Sequence, residues 1–147
     1  MIGEGDKVPA MTPTLSDGST LDLAQGTTVL YFYPKDDTSG CTKEAQDFTE
    51  LAGEFAKAGV RVVGVSRDAM KKHDKFIAKY ELKVPLASDE DGALSEAFGT
   101  WVEKSMYGRK YMGMERATFL IQGGKVVKAW RKVKVPGHAK DVLAAIK

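Results

Sequence analysis

Seven consecutive residues, Thr27-Thr28-Val29-Leu30-Tyr31-Phe32-Tyr33, are β-branched, aromatic or aliphatic, and Pro34 stops the run. A strand that is apolar on both faces has to be covered on both sides, which puts it at the centre of a layered sheet. From Thr42 to Ala58 the pattern changes: Ala45, Phe48, Leu51, Ala52, Phe55 and Ala56 recur at three- and four-residue steps. That spacing predicts an amphipathic helix, ended by Gly59. Val60-Arg61-Val62-Val63-Gly64-Val65 is a second buried strand. Strand, helix and strand in this order predict a right-handed crossover and a parallel pair.

The rest of the chain adds layers to that unit. Ser66 to Asp68 offer caps for a helix from Ala69 to Tyr80, with Phe76, Ile77 and Tyr80 on its core face. Leu86-Ala87-Ser88 reads as a short strand, and a helix over 93–98 is closed by Gly99. Arg116 to Ile121 and Lys125 to Trp130 form a hairpin around Gly123-Gly124. A closing helix spans Ala139 to Ile146, and Thr14 to Leu21 suggest an N-terminal hairpin. A mixed central sheet flanked by helices, with a parallel unit at its middle and an antiparallel edge, is a thioredoxin-like α/β fold. No repeat or linker divides the 147 residues, so 1–147 reads as one domain.

Composition excludes several functions. Hydrophobic residues at 43% and charged residues at 29% argue against a disordered chain. No apolar run approaches the ~18 residues that span a bilayer. The start, Met1-Ile2-Gly3-Glu4-Gly5-Asp6, is neither basic nor apolar, so a cytoplasmic, membrane-free protein is expected. One cysteine excludes an intrachain disulfide and a multi-thiolate metal site; His73 and His138, distant in sequence, read as surface residues and argue against zinc. Neither a metal nor a cofactor is expected. Gly123-Gly124 is a turn and not a phosphate loop. Trp101, Tyr107 and Tyr111 with Met106, Met112 and Met114 point to core packing and an inserted loop or hairpin, with an apolar pocket wall or self-association surface as the alternative.

Charge is uneven. Residues 1–100 hold 11 Lys and Arg against 17 Asp and Glu, whereas residues 101–147 hold 11 against 3. The basic last third raises a non-enzymatic binding module for nucleic acid or an acidic protein as an alternative function. Lys125, Lys128, Arg131, Lys132 and Lys134 alternate with apolar residues, however, as in an ordinary strand with one wet face, and no nucleic-acid signature accompanies them.

Cys41 lies between the central strand and the amphipathic helix, where open α/β sheets place ligands. In a first helical turn a sulfur faces unpaired N–H groups and the positive end of the helix dipole, which favour the nucleophilic thiolate. Thr38, three residues earlier, is in reach of the sulfur or a bound substrate, and Pro34 can turn the chain over it. Position alone leaves a small buried hydrophobe as an equal reading. Disulfide exchange of the thioredoxin type needs Cys-x-x-Cys, and here Thr38 stands at the partner position.

Pro34-x-x-x-Thr38-x-x-Cys41 resembles the active-site signature of the peroxiredoxins. The surrounding VLYFYPKDDTSGCTKEAQDF, then GVSRD, LASDEDG, YGRKYMGMERATFLI and WRKVKVPGHA, resemble the bacterioferritin-comigratory (peroxiredoxin Q) branch over nearly the whole chain. The resemblance implies a thioredoxin fold with peroxiredoxin-type insertions and a thiol-dependent peroxidase for hydrogen peroxide and organic hydroperoxides. It makes Cys41 the peroxidatic cysteine, Thr38 and Pro34 its loop partners, and Arg116 the active-site arginine. Glu44 falls where many members carry an acid, there to hold an arginine or simply to occupy the helix's first turn. The chain departs from the branch in one respect: Gln46 stands where many members carry a resolving cysteine, and no second cysteine exists. A 1-Cys cycle is therefore expected, with a sulfenic acid re-reduced by an external thiol (thioredoxin, glutaredoxin or glutathione) in a monomer, with a dimer as the alternative.

Overall fold

The computed structural model describes residues 2–146. Five strands form the main sheet: β1 (Thr27–Phe32), β2 (Val60–Ser66), β3 (Leu86–Ser88), β6 (Ala117–Gln122) and β7 (Lys125–Trp130). Their order is β3-β2-β1-β6-β7. β1 pairs in parallel with β2, and β2 with β3, while β6 and β7 are antiparallel additions. The all-apolar run is thus the central strand. Val29, Tyr31 and Tyr33 face one layer; Leu30 and Phe32 face the other. Gly64 on β2 allows the first layer to close, because a side chain there would meet the Tyr31 ring at 2.7 Å.

The predicted 42–58 helix begins earlier and is broken. α1 spans Ser39–Glu50 and α2 spans Ala52–Lys57. Leu51 leaves helical geometry, its N–H shared between the carbonyls of Asp47 and Phe48. The bend lets Phe48 and Phe55 meet at 5.9 Å while Phe48 stacks on Tyr31 at 4.7 Å. Burying a ring such as Phe48 contributes about 2–3 kcal/mol. α3 (Met70–Tyr80) and α5 (His138–Ile146) cover the same face; α4 (Ala93–Ala97) covers the other. Ser66 and Asp68 do not cap α3: their side chains bond each other, and Asp68 turns to another loop.

The N-terminal hairpin shrinks to a single bridge between Thr14 and Thr20, because the segment bonds β3 instead through Leu15–Ala87 and Ser16 N–H to the Leu86 carbonyl. Residues 101–114 do form a hairpin, β4 (Trp101–Met106) and β5 (Arg109–Met114), separate from the main sheet. The expectation that its aromatic and Met side chains are core fails for most of them. Met114 is buried and Trp101 lies under the Arg67 guanidinium at 3.5 Å, but Met106, Tyr107, Tyr111 and Met112 are exposed. A two-stranded arm has only one face to bury. His73 and His138 are not surface residues either: both are buried, each held by a hydrogen-bond partner that offsets the cost of desolvating a ring nitrogen.

Candidate active site

The site stands at the C-terminal end of β1. Thr38 is the extended N-cap of α1, so Ser39, Gly40 and Cys41 make its first turn and their N–H groups lack helical partners. Cys41 is 1% exposed and packs with Ala45 and Phe48 on the Tyr31 layer. Register brings in the cation. Phe32 pairs with Ala117, so the residue before β6, Arg116, arrives beside the loop that leaves β1. Its Nη2 donates to Cys41 Sγ at 3.4 Å and its Nη1 to Glu44 Oε1 at 2.6 Å, across 75 and 72 residues of sequence. The Arg116 carbonyl is itself fixed by the N–H of Val133.

One planar guanidinium therefore bridges the sulfur and a carboxylate one helical turn further on. Glu44 is 1% exposed and paired with Arg116 at 2.6 Å, so it is not a solvated acid. Its Oε2 and the Tyr31 hydroxyl, both buried, have no partner among the described residues. Burial pushes the Glu44 carboxyl up to about 7, against the pull of Arg116. Burial also opposes the Arg116 charge, but Glu44 and Cys41 more than offset it and raise the guanidinium above its ordinary range. The Tyr31 phenol is raised by burial and by the charges of Glu44 and Cys41, so it stays neutral.

The Glu44 shift has a measurable consequence. An acid whose folded pKa exceeds its unfolded value stabilises the fold fully below the unfolded pKa and loses that contribution as pH rises through the folded one. With 4.5 as the ordinary value and about 7 in the fold, the wild type should lose stability relative to Glu44→Gln between pH 5 and pH 8. The shift corresponds to about 2–4 kcal/mol. Urea unfolding at both pH values checks this; a pH-independent difference between the two proteins contradicts it.

Thr38 points elsewhere than at the sulfur. Its hydroxyl donates to the Lys35 carbonyl at 2.9 Å, which leaves the oxygen lone pairs free to accept. Pro34 and Thr38 are exposed. Two residues that sequence patterning does not single out also shape the site. A side chain at Gly40 would meet Arg116 Nη2 at 3.2 Å, so a small residue lets the guanidinium reach the sulfur. Lys104 on β4 is a second nearby cation: burial and Arg116 hold its ammonium below the usual lysine range, while Cys41 and Glu115 pull it up. No spacing rule links either to Cys41. Behind Arg116, Thr118 Oγ1 and His138 Nε2 lie 2.8 Å apart, and burial pushes that imidazole down to about 4, so it is uncharged at neutral pH.

The basic last third is partly spent on the fold. Arg131 donates to the carbonyls of Phe98 and Gly99 and pairs with Glu115 at 3.4 Å. Val126 is buried between exposed Lys125 and Val127, as a strand with one covered face requires.

The AhpC/TSA family model matches residues 5–129. Peroxiredoxin Bcp of Xanthomonas campestris pv. campestris is 58% identical over 120 residues, covering 81% of this chain and 75% of that protein. Peroxiredoxin Bcp of Bacillus subtilis is 43% identical over 147 residues, covering 97% and 94%. A solved structure of Xanthomonas campestris Peroxiredoxin Q superposes with a TM-score of 0.88 at 50% identity, covering 95% of this chain and 94% of that one. A structure of the Xanthomonas campestris bacterioferritin comigratory protein, described for its alkyl peroxide reduction activity, gives a TM-score of 0.87 at 49% identity, covering 96% and 97%. Sequence and superposition thus agree, and the chain belongs to the AhpC/TSA family, among its Bcp or peroxiredoxin Q members.

Proposed function

We propose that Cys41 is the sulfur on which this thiol-dependent peroxidase turns over, that Arg116 and Thr38 hold the hydroperoxide, and that Glu44 positions Arg116. The observation that carries the reading is the single guanidinium that reaches both the only thiol and a buried carboxylate. The Cys41 thiolate attacks the terminal oxygen of a hydroperoxide and the O–O bond breaks. The departing oxygen leaves as alkoxide or hydroxide and takes a proton to become alcohol or water. Cys41 becomes a sulfenic acid.

Each group contributes at a definite point. The Arg116 charge favours the thiolate before attack and meets the negative charge that develops on the departing oxygen. The Thr38 hydroxyl, already donating to Lys35, accepts a hydrogen bond from the hydroperoxide O–H and so orients the O–O bond. The first-turn N–H groups of α1 add fixed dipoles beside the reacting sulfur. Alkyl peroxide reduction, the activity named for a Xanthomonas campestris relative, fits the same chemistry.

Two solved forms of Xanthomonas campestris Peroxiredoxin Q are cysteine-to-serine mutants at different positions, so that protein carries at least two cysteines. This chain carries one. Its sulfenic acid is reduced by an external thiol such as thioredoxin, glutaredoxin or glutathione, which expels water and forms a mixed disulfide. A second thiol then releases the Cys41 thiolate. The supply of such thiols suits a cytoplasmic protein. Intact-protein mass spectrometry after one equivalent of hydroperoxide tests the cycle. The mass should gain one oxygen without added thiol, and one glutathionyl group when glutathione is present. An unchanged mass, or a covalent dimer as the main product, overturns it.

A further inference from the structure

From Pro34 to Ser39 the chain is exposed except for one residue. Pro34, Lys35, Asp37, Thr38 and Ser39 face solvent, but Asp36 is 2% exposed. Its carboxylate accepts a hydrogen bond from the Tyr33 hydroxyl at 2.5 Å and lies 2.6 Å from Nδ1 of His73 on α3. His73 is 0% exposed, and its Nε2 lies 2.9 Å from the Ala87 carbonyl. A carbonyl only accepts, so Nε2 carries hydrogen, and one further proton sits between Nδ1 and Asp36 in either protonation form. Every polar atom of this buried network has a partner. Two apolar residues would fill the same space at lower desolvation cost, whereas a fully satisfied network fixes one arrangement.

What it fixes is a single peptide plane. The Lys35–Asp36 peptide donates its N–H to Asp68 Oδ2 at 2.8 Å, and its carbonyl receives the Thr38 hydroxyl at 2.9 Å. Asp68 is braced in turn by Ser66 and Lys72. On the outer side Asp37, in the left-handed region at φ 59°, is tied to Lys79 and Tyr80 of α3. That outer tie is exposed and contributes little. The inner one is buried and directional.

We propose that His73 and Asp68 are positioning residues for the peroxide site: by pinning Asp36 they set the peptide plane that aims the Thr38 hydroxyl. The inference rests on the peroxidase reading of Cys41. Two amide replacements dissect it. In His73→Asn the side-chain amide takes the place of Nδ1 and keeps the bond to Asp36; in His73→Gln it takes the place of Nε2, keeping Ala87 and losing Asp36. His73→Gln should slow the second-order reaction with hydroperoxide by about ten- to a hundredfold, the range that sub-ångström to ångström misplacement costs. His73→Asn should stay within about threefold of wild type, although both lose a buried bond and melt earlier. Adding Thr38→Val to His73→Gln should cost nothing more, since the two act as a unit.

Alkylation of Cys41 by iodoacetamide, which uses no hydroperoxide contact, should be unchanged in all of them. Equal losses in the Asn and Gln variants, multiplicative losses with Thr38→Val, or a lowered melting point with an unchanged rate in His73→Gln each overturn the proposal. A wild-type protein that is alkylated but does not react with hydroperoxide would instead overturn the peroxidase reading. Should His73→Gln fail to fold, Asp68→Ala unpins the same peptide from a half-buried position and carries the same expectation.

Discussion

Cys41→Ser should reduce peroxide consumption to the uncatalysed background while the protein keeps its fold. A serine hydroxyl is not ionised at neutral pH and its oxygen does not form a stable peroxide-derived intermediate, so both the nucleophile and its oxidised form disappear. The structural cost is small. Serine is close to cysteine in size, and at a site that is 1% exposed its hydroxyl finds the Arg116 Nη2 that faces Sγ in the wild type. With a partner present, the buried hydroxyl should cost about 1 kcal/mol, equivalent to a melting-point change of roughly 2–4 °C. Peroxide consumption followed in the presence of glutathione, alongside circular dichroism of the same sample, checks both halves. Residual turnover above background in the folded variant would remove Cys41 from the reaction.

Arg116→Ala should lower the second-order rate with hydroperoxide by roughly two to three orders of magnitude, the range for losing one donor aimed at developing charge. The comparison needs a control, because alanine also takes the cation from Glu44, whose carboxyl burial already pushes up to about 7 and which then stays protonated at neutral pH. Combining Arg116→Ala with Glu44→Gln fixes that neutral form, and the double variant should be as slow as Arg116→Ala alone. Arg116→Lys separates charge from shape: an ammonium is a point donor and cannot span the sulfur and Glu44 as the fork does. Its rate should fall between those of arginine and alanine. Stopped-flow measurement of all three gives the order, and a double variant as fast as wild type would show that the guanidinium takes no part in the chemistry.

The two variants also show where the information lies. Cys41 can be placed at a helix start from local pattern alone, because the apolar run before it and the three- and four-residue periodicity after it fix strand, loop and helix. Arg116 has no such local mark. It precedes a hairpin strand and looks like any surface charge until β6 pairs with β1 and Phe32 is set opposite Ala117. The family resemblance named it; only the sheet register explains it. Glu44 reads equally as a solvated first-turn acid, and its burial under Arg116 comes from the packing of α1 on Tyr31.

The histidines make the same point from the failures. His73 lies on a helix with five charged residues, and Lys72 and Asp74 beside it suggest a wet face. Burial of an imidazole depends on partners, and those partners, Asp36 and the Ala87 carbonyl, come from a loop 37 residues earlier and a strand 14 residues later. Ser66 and Asp68 read as helix caps because cap chemistry is local, yet Asp68, braced by Ser66, holds the loop between β1 and α1 because its other neighbours are not.

Short-range periodicity, turn residues and a single thiol were enough to determine the sheet's parallel centre, the helix over Cys41 and the need for an outside reductant. Those follow from covalent neighbours and from what the composition lacks. The bridge from sulfur to guanidinium to buried carboxylate, and the pinned peptide beneath Thr38, were decided only by tertiary structure. They depend on strand register and on which polar groups are shut away from water together, and neither quantity is written in the spacing of residues along the chain.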